Sequence, residues 1–300
     1  MFVIKFKKFF IGLSAFFVLA ALVCTIVFGL KMGIDFKGGS ELTVQYTTRP
    51  TIQDIQNLLA QNGFNNVLVQ PVNTLGVDIK TKTLTDADRA RMLSVISFNN
   101  TKPAEQLSFT TIGPTVGSEL ARKAIMSITF VLIAIICFVA YAFRKVSRPV
   151  SSWKFGLAVI IALFHDIMIP VGVMALFGHF MGGEVDTLFV IALLTTLGLS
   201  VADTIVVFDR IREHLQYNKA DTSEKFETLV GESLGETFAR SINTSLVVLI
   251  MVVTLAIVGP QSTKLFATIL AIGMFFGTYS SIFLASPLLV VMEKMQKKSK

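Results

Sequence analysis

Six stretches of this sequence are apolar for about the length a helix needs to cross a bilayer, and that constrains everything else. Crossing about 30 Å of hydrocarbon takes about 20 helical residues. Such runs fall at Phe9–Leu30, Ala124–Phe143, Phe155–Phe177, Leu188–Phe208, Ser241–Val258 and Phe266–Val291. Charged residues are only 16% of the chain and hydrophobic ones 53%, where about 25% charged is usual in soluble domains. A soluble particle cannot cover that much apolar surface, which excludes a cytosolic enzyme, a disordered chain, a disulfide scaffold and a collagen-like rod. Cys24 and Cys137 both sit inside apolar runs, where thiols act as small hydrophobes and form no redox or metal motif.

The net charge of +7 follows membrane sidedness and does not indicate nucleic acid. With the N-terminus inside, sixteen of the 27 basic residues fall on the inner side, among them Lys5, Lys7, Lys8, Arg144, Lys145, Arg148, Lys219 and Lys300. The two short outer loops, Gly178–Thr187 and Gly259–Leu265, hold only Lys264. Six spans with both termini cytosolic is the expected topology. The first run follows a basic stretch as a signal peptide would, but its 22 residues exceed the usual apolar core, and Lys31–Ile34 offers no small-residue cleavage site. It reads as an uncleaved anchor.

The expected organisation is therefore a first transmembrane helix at 1–30, an extracytoplasmic domain at 31–123, a five-helix transmembrane bundle at 124–291 and a basic cytosolic tail at 292–300. Within the bundle, 211–240 carries Phe226, Leu229, Val230 and Ser233 on one helical face and reads as an amphipathic helix along the cytosolic interface. In the polar insert, Leu42–Tyr46 alternates like a strand, and Ile52, Ile55, Leu58 and Leu59 mark one face of a helix. Val67–Val69 and Val77–Ile79 read as strands around a turn at Asn73–Gly76. Thr85–Asp88 starts a second helix to about Ile96, and Leu107–Ile112 is a last strand. The order β-α-β-β-α-β is ferredoxin-like. The fold class is thus a membrane all-α six-helix bundle with a small α+β extracytoplasmic domain.

Charged groups inside spans are expensive and point to function. Asp203 lies five residues before Phe208, roughly 8 Å into the hydrocarbon at 1.5 Å per residue, and there a carboxylate needs a partner or a proton. Counting about 20 residues back from Gly259 puts Arg240 at the inner edge of the fifth span, within snorkelling reach of Asp203. The pair is either a static ion pair fixing helix register or a proton-titrated couple. His165 and Asp166 fall about 18 Å into the third span, a possible second intramembrane polar site or a packing feature. As chain neighbours they point about 100° apart and need not touch, while Pro170 removes a backbone donor to Asp166. Gly273, Gly277, Ser281 and Ala285, four apart, form a small-residue face for close helix packing. No phosphate loop, H-E-x-x-H, zinc spacing or nucleophile elbow occurs. No cofactor, metal or catalytic residue is expected, and the chain does not read as an enzyme.

Five blocks carry a family resemblance. They are Gly33–Gly39, Gly113–Leu120, Gly198–Glu213, Phe238–Ser245 and Gly277–Phe283. In order and over nearly the whole chain, they resemble the SecF branch of the SecD/SecF family, which assists the bacterial Sec translocon. One departure is visible: Leu199 and Ala202 stand where the family usually has a tyrosine and a polar residue. The resemblance implies half of an RND-type transporter fold in the bacterial cytoplasmic membrane. It also implies pairing with SecD, contact with the Sec translocon channel and a translocating polypeptide, and use of the proton gradient to promote export. In that family the positions matching Asp203 and Arg240 are tied to proton coupling. The competing expectation is an RND-type proton-driven exporter of small molecules or lipids, although such exporters usually carry twice as many spans in one chain.

Overall fold

A computed structural model of the chain describes residues 2–98, 101–144, 151–217 and 223–298. Lys145, Arg148, Lys219 and Lys300 of the sidedness argument lie outside the described residues. The elements are α1 (Phe2–Lys5), α2 (Lys7–Phe28), α3 (Ile34–Lys37), β1 (Gly39–Tyr46), α4 (Ile52–Gln61), β2 (Leu68–Val72), β3 (Gly76–Thr81), α5 (Asp86–Ile96) and β4 (Ala104–Ile112). After them come α6 (Pro114–Ala142), α7 (Ser152–Phe180), α8 (Thr187–Tyr217), α9 (Ser223–Val258), α10 (Gln261–Ser280), a π-helical turn (Ser281–Ala285) and α11 (Ser286–Lys298).

The chain forms two compact units, one of Met1–Leu30, Ser127–Gly183 and Leu188–Lys300, the other of Lys31–Met126 with Glu184–Thr187. In the second unit the sheet order is β2-β3-β1-β4 with every pairing antiparallel. With α4 and α5 between strands as expected, this is the ferredoxin-like arrangement. Alternation places Leu42, Val44 and Tyr46 of β1 and Val77 and Ile79 of β3 in one core with Ile55, Leu59, Met92 and Ile96 of the helices. Thr51 caps α4 by accepting the Asp54 amide, and Thr85 with Asp88 closes a reciprocal capping box on α5. Gly38, just before β1, has φ +77°, and a Cβ there would fall 2.7 Å from the Pro114 Cα. The left-handed turn that brings β1 against the start of α6 therefore needs glycine at this position.

Among the described residues, six helical segments are long and apolar enough to cross a membrane: Lys7–Phe28, Pro114–Ala142, Trp153–Phe180, Thr187–Tyr217, Glu224–Val258 and Gln261–Met295. The protein is a multi-pass membrane protein. Three expectations are corrected. The second helix begins at Pro114, ten residues before its apolar run, because proline at a first helical position has the right φ and lacks only an N–H that would be unbonded anyway. The segment 211–240 is not a separate interfacial helix in its described part: Ile211–Tyr217 ends α8, and Ser223–Arg240 is the first half of α9. Phe226, Leu229 and Val230 are buried with Val3, Ile4 and Phe208 in the bundle core. No proline interrupts 223–258, so the apolar stripe is carried inward by one continuous helix.

The third correction concerns the sixth span, which is two α-helices joined by the π-turn. Pro287 can donate no backbone hydrogen bond, and its ring crowds the carbonyl four residues back. The Ser280 and Ser281 hydroxyls also lie 2.9 and 3.0 Å from the Gly277 carbonyl, each sharing its one proton between that oxygen and a second acceptor, and so compete with the main-chain ladder. A widened turn takes up both disturbances.

Candidate functional site

Helix packing brings three polar positions of α8 against the small-residue face of the last span. Thr196, Ser200 and Thr204 recur every four residues and are buried, so they share one stripe. A Cβ on Gly273 would lie 2.4 Å from Thr196 Oγ1, and one on Gly277 would lie 3.1 Å from Ser200 Cβ. Ser281 Oγ is 2.8 Å from Thr204 Oγ1 and donates to the Ser200 carbonyl at 3.2 Å. Ala285 is fully buried in the bundle core beyond them. The face made by Gly273, Gly277 and Ser281 thus meets a hydroxyl stripe.

At the centre of that seam lies Asp166 of α7, 0% exposed. Its Oδ2 accepts hydrogen bonds from Ser200 Oγ, at short range, and from Ser280 Oγ at 2.9 Å. Its Oδ1 is 2.9 Å from His165 Nδ1. His165 and Asp166, which helix geometry leaves free not to touch, are in contact. The imidazole stacks 6.0 Å from the Tyr279 ring, and its Nε2 is buried without a hydrogen-bond partner among the described residues. Tyr279 in turn donates to the Phe10 carbonyl of α2 at 3.2 Å. Among the described residues, two hydroxyl donors and the imidazole Nδ1, with no lysine or arginine, are bonded to this carboxyl group.

Asp203 and Arg240 are arranged differently. Both line a cavity of about 240 Å³ with Ser200, Ser241, Gly277 and Thr278. Among the described residues they form no ion pair. Asp203 Oδ2 and Ser241 Oγ are both shut off from solvent, the Ser241 hydroxyl is the polar side chain beside Asp203, and the Arg240 side chain is exposed. The sequence therefore named the two residues of one cavity, and the direct pair drawn between them is not formed. Toward the C-terminal end of α8, Asp209 pairs with Arg212 at 2.6 Å, and Arg210 pairs with Glu213 and Glu236.

A second charged cluster lies in the ferredoxin-like unit. Lys80 Nζ is 3.0 Å from Glu184 Oε2, 3.6 Å from Glu41 Oε1 and 3.9 Å from Asp78 Oδ2. Burial first, then the neighbouring Glu41 carboxylate, push Asp78 up to about 7, while Lys80 and the Thr43 hydroxyl pull the other way. Burial opposes the Lys80 charge, yet Glu184 and Glu41 outweigh it and hold its pKa above the usual lysine range. Among the described residues no group of three or more His, Cys, Asp or Glu is placed to hold a metal ion.

Ser200 and Ser280 were missed from the sequence, where hydroxyls in apolar helices look like packing residues. The recoverable signal was the four-residue spacing of Thr196, Ser200 and Thr204, which matches that of Gly273, Gly277 and Ser281.

The family description "Protein export membrane protein SecD/SecF, C-terminal" matches residues 94–295, and "SecD/SecF GG Motif" matches 25–48. The chain belongs to the SecD/SecF family. It is similar to the protein translocase subunit SecF of Thermobaculum terrenum, 38% identical over 97% of this chain and 93% of that protein. It is also similar to SecDF of Bacillus subtilis, 34% identical over 93% of this chain and 36% of that protein. The crystal structure of SecDF, a translocon-associated membrane protein from Thermus thermophilus, superposes with a TM-score of 0.84 at 28% identity. That match covers 97% of this chain and 38% of the other. The SecD/SecF glycine motif falls where Gly38 turns the chain into β1, and the longer match takes in Asp166, Asp203, Arg240 and the seam between α8 and α10.

Proposed function

We propose that this SecD/SecF-family chain is an auxiliary subunit of the Sec translocase that works with a SecD-type partner. In this reading it uses the proton gradient to promote export of polypeptides through the translocon channel, with Asp203 and Arg240 as the coupling residues. The observation that carries it is the cavity: among the described residues, a carboxylate paired with no cation and a guanidinium line the same space without closing on each other. A proton on Asp203 removes its attraction for Arg240, so protonation selects between two helix arrangements. The relatives named SecDF support the partnership, since this chain accounts for 36% and 38% of their length and leaves room in each for a second unit. The distribution of basic residues favours cytosolic termini and an extracytoplasmic domain at 31–123.

Asp203→Asn keeps the shape of the protonated side chain and cannot titrate. In membrane vesicles at matched protein level, it is expected to assemble normally and lose gradient-driven stimulation of export. Full stimulation in Asp203→Asn overturns the coupling role.

A further inference from the structure

One residue lining the Asp203 cavity is also bonded to Asp166. Ser200 lines the cavity together with Asp203 and Arg240, and its hydroxyl donates to Asp166 of α7. Of the three groups bonded to Asp166, neither His165 nor Ser280 lines the cavity. Asp166 and His165 are 0% and 1% exposed, so Ser200 is their hydrogen-bonded route to that space among the described residues.

The groups facing Asp166 leave few ways to balance its charge. From α7 there is His165; from α10, Ser280 and the Tyr279 ring; from α8, Ser200, with Asp203 three residues further on. From α9 the nearest charge on the cavity is Arg240. From α2 come the Ser14 hydroxyl and the Phe10 carbonyl, both on Tyr279, and no charged residue lies between Phe9 and Phe28. Among the described residues, the carboxyl group is thus held by two hydroxyl donors and the imidazole Nδ1. Such a group is well bonded as an anion, and it also accepts a proton without breaking an ion pair to lysine or arginine.

We propose that Ser200 relays protons between the Asp203 cavity and Asp166, making the Asp166–His165 pair an internal proton-holding site behind the coupling residues. The step balances. A proton from an acid in the cavity, Asp203 in its protonated form or a hydronium ion, bonds to a Ser200 Oγ lone pair as the Ser200 O–H proton passes to Asp166 Oδ2. The hydroxyl is whole before and after, and the net change is one proton moved from cavity to carboxylate. Once neutral, Asp166 is a weaker acceptor for Ser200 on α8 and Ser280 at the end of α10. Both bonds lie beside the π-turn, the segment of the last span whose backbone ladder is already disturbed, and π-turns are frequent at functional positions. Proton arrival at Asp166 therefore loosens the α8–α10 seam at its weakest turn.

This inference rests on the proton-coupling reading, and the test separates the two. Ser200→Ala and Ser280→Ala each delete one hydroxyl donor to the same Asp166 oxygen, but only Ser200 reaches the cavity. With the chain and its co-expressed partner in membrane vesicles at matched protein level, gradient-driven stimulation of export is expected to fall at least tenfold further in Ser200→Ala than in Ser280→Ala. A purely structural role for the two bonds makes the variants equal, and equal losses overturn the relay, as does full stimulation in Ser200→Ala. In the purified protein in lipid vesicles, acidification is expected to raise an infrared carboxylic-acid carbonyl band that Asp166→Asn removes. Persistence of every such band in Asp166→Asn overturns the proton-holding role. If Asp166→Asn fails to accumulate, the serine comparison decides alone. Full stimulation in Asp203→Asn sinks the coupling reading itself, whereas loss in Asp203→Asn with retention in Ser200→Ala sinks only the relay.

Discussion

Asp78 is held between Glu41, which favours a proton on it, and Lys80, which favours its charge, and burial tips the balance toward the proton. Its pKa is about 7 in the fold against about 3.9 in an unfolded chain. The folded state therefore binds more protons between those values, and stability falls as pH rises from about 4 to about 7 and stays low above. Asp78→Asn mimics the protonated form. It is expected to be neutral near pH 4 and stabilising above pH 7, by the order of 2–4 kcal/mol at about 1.4 kcal/mol per unit. Thermal midpoints of the two proteins in detergent, measured from pH 4 to 8, check this; a constant difference across that range contradicts it. At this scale the sequence was informative about charges and silent about hydroxyls. A carboxylate in an apolar run stands out, so Asp166, Asp203 and Arg240 were named at once. Ser200 and Ser280 acquire meaning only when α7, α8 and α10 converge on one oxygen, and linear spacing does not encode that convergence.

Elements were legible where their determinants are local. The capping box of Thr85 and Asp88, the Ile55 and Leu59 stripe and the alternation of β1 gave the ferredoxin-like unit strand by strand. The start of α6 and the full length of α9 were not legible, because hydropathy marks the part of a helix in lipid and not the part that continues beyond it. A close approach between α8 and α10 tests the seam as an element-level contact. A methyl on Gly273 would fall 2.4 Å from Thr196 Oγ1 and 2.9 Å from its Cγ2. Gly273→Ala is expected to destabilise the bundle by about 1–3 kcal/mol, the usual cost of overpacking, seen as a lower thermal midpoint in detergent. Thr196→Ala removes both clashing atoms, so the double variant is expected to recover most of the loss. Failure to recover would mean that α8 and α10 do not meet at this point.

For the whole molecule, the orientation proposed from charge is open to direct measurement. A reporter inserted after Asn65 is expected to be active outside the cytosol and one after Ala220 inside it, and the reverse pattern contradicts the topology. The sequence showed six crossings and one polar insert between the first two, since both follow from composition over long windows. It did not show that the last crossing is broken, because a period of 3.6 was counted straight through Ser281–Ala285. That turn has a bearing on how the chain tolerates changes in length. One residue gained or lost in an α-helix rotates everything after it by about 100° and slides it about 1.5 Å, which would turn the buried side of α11 toward lipid. A π-turn accommodates one surplus residue within itself, so α10 and α11 keep the faces they would present if that residue were absent. The last crossing can lose a residue there and still seat both its halves, which no other stretch of it could do.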